Sequence, residues 1–556
     1  MFEPLTAGDR TRAARRPETQ AKRHGGWWIR PFPGGWGRPT SAPVTRIDED
    51  RPSFPYPGGP PPRTAGPWVV LARQLLAEAR TAEAVAAVEM ALALDPRHLA
   101  ARALRKTAVE ALEAADPALT ALELAAALHP EDRNAQLELG HTYVELDRPA
   151  DAERCFKRVL EAEPQMAAAQ ASLAALYLSV GIEDGAEHHA RLALQAEAGQ
   201  AVASQTLAAI LERRGEPQAA RELLDQAYRC QSLFLEPARN SLLTVLVLAT
   251  QASGNIPYRS LLPPNRYSRL VWYMEHARED QIGALPPYDV VFNAIGDPDL
   301  AGPTEAPVRR FLSACRRPVL NDPGRVARTH RHQMPELLGG LDHVVVPAAA
   351  RLDGAAVGGG GLRRAIEDAG LALPVLVRPV GSHGGRGLAR AESWGDVAEL
   401  DAALAGERVY LTQYRDYRSA DGRFRKGRMI FVDRRPYPYH WAVSDDWMVH
   451  YETSGMRGDR ARQAEEQMFL ASPETVIGPR AVAAMAEIGR RLDLDYCGLD
   501  FSVLDDGRVL VFEANATMLV HPEDPDGELA YKNPAVGRIV GAFQARVAAL
   551  AKLLRE

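Results

Sequence analysis

Cysteine is scarce: four residues in 556, namely Cys155, Cys230, Cys315 and Cys497, with no CxxC pair among them. That spacing argues against a zinc site and a disulfide framework, and it fits a reducing, cytoplasmic setting. Long apolar runs are missing too. The longest, SLLTVLVLAT at residues 241–250, is strand-sized and falls short of the roughly 18 residues that a membrane span requires. No membrane partner is expected. A basic stripe with interleaved aromatics is absent and the formal net charge is −6, so nothing points to nucleic acid. What remains is an ordinary soluble composition, 46% hydrophobic and 25% charged, long enough for about three or four domains. Residues 1–64 stand apart. Their GGWWIRPFPGGWGRP and RPSFPYPGGPPPR stretches are too rich in proline and glycine for regular structure, and disorder is expected. Arg15-Arg16 is followed by PETQAKRHGG rather than the apolar stretch of a twin-arginine export signal.

From residue 65 the chain turns alanine- and leucine-rich, and prolines recur at Pro96, Pro130 and Pro164, a spacing of 34 residues. That is the tetratricopeptide period. Gln136, Leu139, Gly140 and Tyr143, then Ala152, Phe156 and Pro164, follow the consensus of that repeat apart from its tryptophan. Leu173, Ala174, Tyr177 and Ala186 repeat the pattern downstream, and Trp68, Leu71, Ala72, Ala84 and Pro96 do so upstream. Residues 65–235 thus resemble a tetratricopeptide solenoid of five units, against the alternative of a generic alanine-rich bundle. Such solenoids bind partners, so the resemblance implies a protein or peptide partner.

Between residues 236 and 350 the pattern switches. TVLVLAT, RLVWYM, DVVFNAIG, PVLN and HVVVP read as buried strands with helix-length spacers, the mark of an α/β layer with a largely parallel sheet. Loops after such strands usually bind ligands. Asn293 and Asp297 are therefore substrate-side candidates, unless they only cap turns.

Near the C-terminus, YCGLDFSVLDDGRVLVFEAN contains Asp506-Gly507, a hairpin signal. A two-residue turn there pairs Asp505 with Arg508, which sets Glu513 opposite Asp500 and Asn515 opposite Gly498. Leu499, Phe501, Val503, Leu510, Phe512 and Ala514 fall on the other face. Two facing carboxylates repel. A hard cation between them answers this, and carboxylate and amide oxygens suit magnesium; the alternative is that one acid is protonated or neutralised by an arginine. Upstream, PVLVRPVGSHGGRGLA offers a strand followed by glycines whose backbone N–H groups can close around an anion. It carries Arg378, whose guanidinium suits phosphate, then Ser382, His383, Gly384, Gly385 and Gly387. Lys426 and Arg428 share one face of a second basic strand.

This order of basic strand, glycine loop, linker, basic strand and Asp500…Glu513-x-Asn515 resembles the ATP-grasp superfamily, in the manner of glutathione synthetase and D-alanine–D-alanine ligase, over residues 235–556. The resemblance implies a multidomain chain. An all-α solenoid (65–235) precedes an α/β pre-ATP-grasp domain (236–350) and an α+β ATP-grasp domain (351–556). It implies ATP and magnesium, with Asp500, Glu513 and Asn515 on the metal and the SHGGRG loop over the triphosphate. Gln413 and Tyr414, in VYLTQYRDY, would border adenine. Lys426 would lie on the nucleotide side, and Arg428 would reach the phosphates or an acyl phosphate. Arg378 stands where the family usually carries lysine. His440, Trp447 and His450 would face the second substrate, unless that segment is a packed aromatic strand pair; the two histidines lack HxxxH-type zinc spacing. The implied activity is an ATP-dependent carboxylate–amine or carboxylate–thiol ligase releasing ADP and phosphate. The alternatives are a tetratricopeptide adaptor that only senses nucleotide, and a kinase with a stable phosphorylated product.

Overall fold

The computed structural model describes residues 60–552 except 79, 114–116, 147, 239–240, 252 and 383. The disorder expected for residues 1–64 therefore falls mostly outside the described residues. No helix among the described residues is long and apolar enough to cross a membrane. The chain divides into two compact units, one ending at Ala220 and the other beginning at Arg221.

Helices fill the first unit in antiparallel pairs. Their ranges are α1 Ala65–Ala77, α2 Thr81–Leu94, α3 Leu99–Glu113, α4 Pro117–Leu128, α5 Arg133–Glu145, α6 Pro149–Ala162, α7 Ala167–Ser179, α8 Glu183–Ala196 and α9 Ala201–Arg213, and α10, Pro217–Cys230, runs on into the second unit. The odd-numbered helices begin 34 residues apart, the interval at which the prolines recur. Small residues at fixed positions make the pairing possible. A Cβ on Gly140 would lie 2.5 Å from the Phe156 ring, which is fully buried, so only glycine lets α5 and α6 close on that ring. Asp132 caps α5 by accepting hydrogen bonds from the Asn134 and Ala135 amides. Tyr143 and Tyr177, at one repeat position, donate to Glu123 and Glu153 on preceding helices.

The second unit holds three sheets. The first contains β1 Leu233–Glu236, β2 Leu243–Ala249, β3 Tyr267–Tyr273, β4 Val290–Asn293 and β5 Val319–Leu320, in the order β1-β3-β2-β4-β5. Its last four strands are parallel, as the run of buried β-branched residues predicts, and β1 lies antiparallel on the edge. The fifth predicted strand goes elsewhere. HVVVP supplies only β6, Val344–Val345, which joins the third sheet parallel to its last strand. A short apolar run suits any buried sheet edge, so periodicity did not choose between them.

The second sheet, β7 Ala349–Leu352, β8 Val375–Pro379, β9 Ala389–Ala391 and β10 Val409–Gln413, is antiparallel in the order β7-β10-β8-β9. The third contains β11 Phe424–Val432, β12 Arg435–Ser444, β13 Tyr496–Val503 and β14 Val509–Asn515, in the order β12-β11-β13-β14-β6. Its β13–β14 hairpin corrects the expected turn. Leu504 donates to the Arg508 carbonyl at 2.9 Å, so the loop has three residues, with Gly507 at φ +80°. A bulge at Phe512 then restores the register, so that Asp500 faces Glu513 and Asn515 faces Gly498 as expected. Between turn and bulge the faces are exchanged. Leu510 and Phe512 consequently line a cleft with Glu513 rather than lying opposite it.

Candidate active site

Four adjacent strands place one charged rung across the third sheet. His440 on β12 faces Arg428 on β11, Arg428 faces Asp500 on β13, and Asp500 faces Glu513 on β14. Irregularities in pairing flank the rung, between Arg428 and Met429 and between Asp500 and Phe501; such bulges re-aim side chains near functional sites.

The facing acids are met by arginine and lysine in this structure. Arg428 donates to both oxygens of Asp500, at 2.7 and 3.1 Å, and Lys426 Nζ lies 2.8 Å from Oδ2. Glu513 accepts a hydrogen bond from Arg331, and Arg378 stands 3.6 Å away. Burial alone would raise the Asp500 carboxyl, but Arg428 and Lys426 outweigh it and hold the group well below the usual range. For Glu513, burial and the nearby Asp500 push up while Arg331 and Arg378 pull down, leaving it at about 2. Both acids are therefore charged at neutral pH.

The glycine loop follows β8. Gly381, Gly384, Gly385 and Gly387 all take positive φ, which side chains disfavour. Arg378 braces the loop through Ser382, donating to its hydroxyl at 3.0 Å and its carbonyl at 2.7 Å. A Cβ on Gly384 would lie 3.5 Å from His450 Nε2, so the loop lies against the segment after β12. His383 lies outside the described residues.

At the other end of the cleft, Gln413 donates to the Ala372 and Pro374 carbonyls and so fixes the strand edge. Tyr414 and Trp447 stand edge to face at 5.8 Å, and the Arg390 guanidinium lies 4.9 Å from both rings. The space so enclosed, mouth included, is about 1170 Å³. Of the predicted residues, Arg378, Gly384, Gly385, Gln413, Tyr414, Lys426, Arg428, Trp447, His450, Asp500 and Glu513 line it.

Others lie apart. His440 is buried beside the cleft, stacked on Tyr451 at 4.8 Å, and burial with nearby Arg428 and Lys532 holds its imidazole neutral. Asn293 is buried and donates to the Asn321 carbonyl at 2.9 Å, the work of a turn. Asp297 accepts from the Asp299 amide and shares a small cavity with Asn515 and Arg331, adjoining the cleft. The Asn515 amide oxygen accepts from the backbone and hydroxyl of Thr517, both at 3.0 Å.

Arg331 is the residue that sequence reasoning missed, along with the cluster behind it. Tyr410 and His330 both reach Asp299, at 2.7 and 3.0 Å, and Arg351 adds a contact at 3.4 Å. The signal was the density of basic residues in RVARTHRH, residues 325–332.

No protein-family model matches the chain and no curated protein sequence does. Solved structures do match. D-alanine–D-alanine ligase of Bacillus anthracis, complexed with ATP, aligns over 56% of this chain and 98% of its own at 13% identity and a TM-score of 0.36. A RimK domain ATP-grasp protein of Sphaerobacter thermophilus aligns over 56% and 100% at 15% identity and 0.33. The ATP-grasp ligase PsnB, complexed with minimal precursor, Mg and ADP, aligns over 54% and 98% at 13% identity and 0.32.

Magnesium requires oxygen donors. Asp500 and Glu513 provide them side by side, and among the described residues Glu513 Oε1 carries no hydrogen bond. The pair fits an ion that arrives with phosphate; Asn515, engaged with Thr517, fits less well.

Proposed function

We propose that the protein is an ATP-dependent ligase joining a carboxylate to an amine, or less readily a thiol, through an acyl phosphate. The observation that carries this is the convergence of Arg378, Lys426 and Arg428 on two ionised acids under a glycine loop. That is a basic cleft with two ionised acids on its lining. Arg378, Lys426 and Arg428 would orient the phosphates, because guanidinium and ammonium donors match phosphate oxygens. Glycine-loop amides would close over them and exclude water. Tyr414, Trp447 and Arg390 would hold the base by stacking. A substrate carboxylate oxygen then attacks the terminal phosphorus and ADP leaves. The amine nitrogen attacks the acyl carbon, phosphate leaves with the electron pair, and the amine gives up a proton. Positioning and charge suffice, so no protein nucleophile is needed. Magnesium held by Asp500 and Glu513 would offset phosphate charge.

The helical repeats, read as a tetratricopeptide array, would recruit a protein or peptide substrate. A panel of amino acids, peptides and hydroxy acids, each with an amine acceptor, should include a pair that releases ADP and yields a condensed product by mass spectrometry. Nucleotide that binds but never turns over with any pair would favour the adaptor reading. Arg378→Lys should retain turnover, since both residues supply the cation that phosphate needs.

A further inference from the structure

The oxygen donors proposed for magnesium are unequal, and their differences bear on how many ions accompany the nucleotide. Asn515 Oδ1 already accepts twice from Thr517, and its side chain lines the small cavity beside Asp297 rather than the cleft. Both Asp500 oxygens accept from Arg428, Oδ2 takes Lys426 as well, and the side chain is 1% exposed. On Glu513, Oε2 holds Arg331 with Arg378 behind it, while Oε1 has no hydrogen bond among the described residues. Among the described residues Glu513 Oε1 is thus the one carboxylate oxygen of the pair that accepts no hydrogen bond, whereas Asp500 Oδ1 accepts one and Oδ2 meets two cations.

Charge points the same way. Arg331, Arg378, Arg415, Lys426 and Arg428 bring five positive charges to the cleft, and Asp500, Glu513 and the adjoining Asp297 three negative ones, a surplus of two. ATP carries about four negative charges at neutral pH, and one magnesium brings the complex to about two. That complex closes the surplus. A second divalent ion would leave two positive charges uncompensated against buried groups.

We propose that the cleft takes its nucleotide with a single magnesium, and that the Arg331 guanidinium on Glu513 serves as the second cation at that carboxylate. The proposal rests on the ATP-binding reading above. Arg331 suits the role because it is held in place: its guanidinium lies 6.0 Å from the Tyr410 ring, and Asp297 faces it from the adjoining cavity. Its charge is permanent, unlike that of an exchangeable ion.

The test counts ions on the full-length protein. Mn²⁺ replaces magnesium, a non-hydrolysable ATP analogue supplies the nucleotide, free Mn²⁺ is read by electron paramagnetic resonance, and bound nucleotide is measured by equilibrium dialysis. About one Mn²⁺ per bound nucleotide is expected; two would overturn the proposal. Arg331→Met should open Glu513 and raise the count to two, whereas Arg331→Lys, which keeps the cation, should leave it at one. A count that stays at one in Arg331→Met, with nucleotide still bound and circular dichroism unchanged, would overturn the role given to Arg331. Should Arg331→Met fail to fold, the native count still decides. No nucleotide binding at all would overturn the ligase reading, and this proposal with it, whereas two ions on a bound nucleotide overturn this proposal alone.

Discussion

Replacing Glu513 by glutamine removes a charge that Arg331 and Arg378 both face. From sequence, the expected effect on the unliganded protein is neutral or stabilising, because one of two repelling acids disappears. The structure reverses the sign. Glutamine keeps a hydrogen-bond acceptor but leaves two partly buried guanidinium groups short of a counter-charge, so a loss of about 1–3 kcal/mol is expected. Urea denaturation without nucleotide measures it, and the same variant should lose magnesium-dependent ADP release. Acid sensitivity follows from the same pair. Glu513 titrates at about 2 in the fold, against about 4.3 unfolded. A depressed folded value means that its stabilisation is complete above about pH 4.5 and drains away as pH falls toward 2. Asp500 behaves likewise, lower still. Melting temperature should therefore be insensitive to these groups from about pH 5 to 8 and fall below about pH 4, less steeply in Glu513→Gln. The Asp500–Glu513 pairing was legible because hairpin partners lie close in sequence. Arg331, 182 residues from Glu513, was not, because no local pattern ties a loop of one sheet to a strand of another.

Among the elements, the edge strand β1 is one whose removal should be felt. Phe234 is 1% exposed, and Glu236 is paired with Arg269 at 2.7 Å and Arg259 at 2.6 Å. A chain cut at Pro237 loses all of this and leaves Arg269 buried without its acid, at a cost of about 3–5 kcal/mol. A chain starting at Glu216 keeps α10 and β1. It should melt cooperatively and bind ATP, while the shorter one melts well below it in calorimetry. Strand existence was legible in β2, β3 and β4 because their buried runs are long. The β13–β14 register came out right at the rung only because a longer turn and a bulge offset each other. Gly427 on β11 is a second sensitive point. A Cβ there would lie 2.7 Å from the Phe501 and Trp441 rings, so Gly427→Val should destabilise by about 1–3 kcal/mol through overpacking.

At the scale of the whole molecule, the two units invite a comparison of full-length protein with the chain starting at Glu216. If the repeats deliver a protein or peptide, the two should match in ATP affinity and differ on the physiological substrate. Tethering typically raises effective concentration enough for a gain of about 10²-fold or more, and that gain should vanish from kcat/KM on cutting. Equal turnover by both chains would rule delivery out.

The constant interval between helix starts has a further consequence. Deleting residues 167–200 would remove α7 and α8 together and bring α9 after Met166 at the position α7 had held. Each surviving helix would meet a neighbour of the same kind, because repeats of this sort contact mainly those beside them. Read as such an array, the helical region would be divisible along its length, and deletion of residues 167–200 should leave a protein that still melts cooperatively in calorimetry.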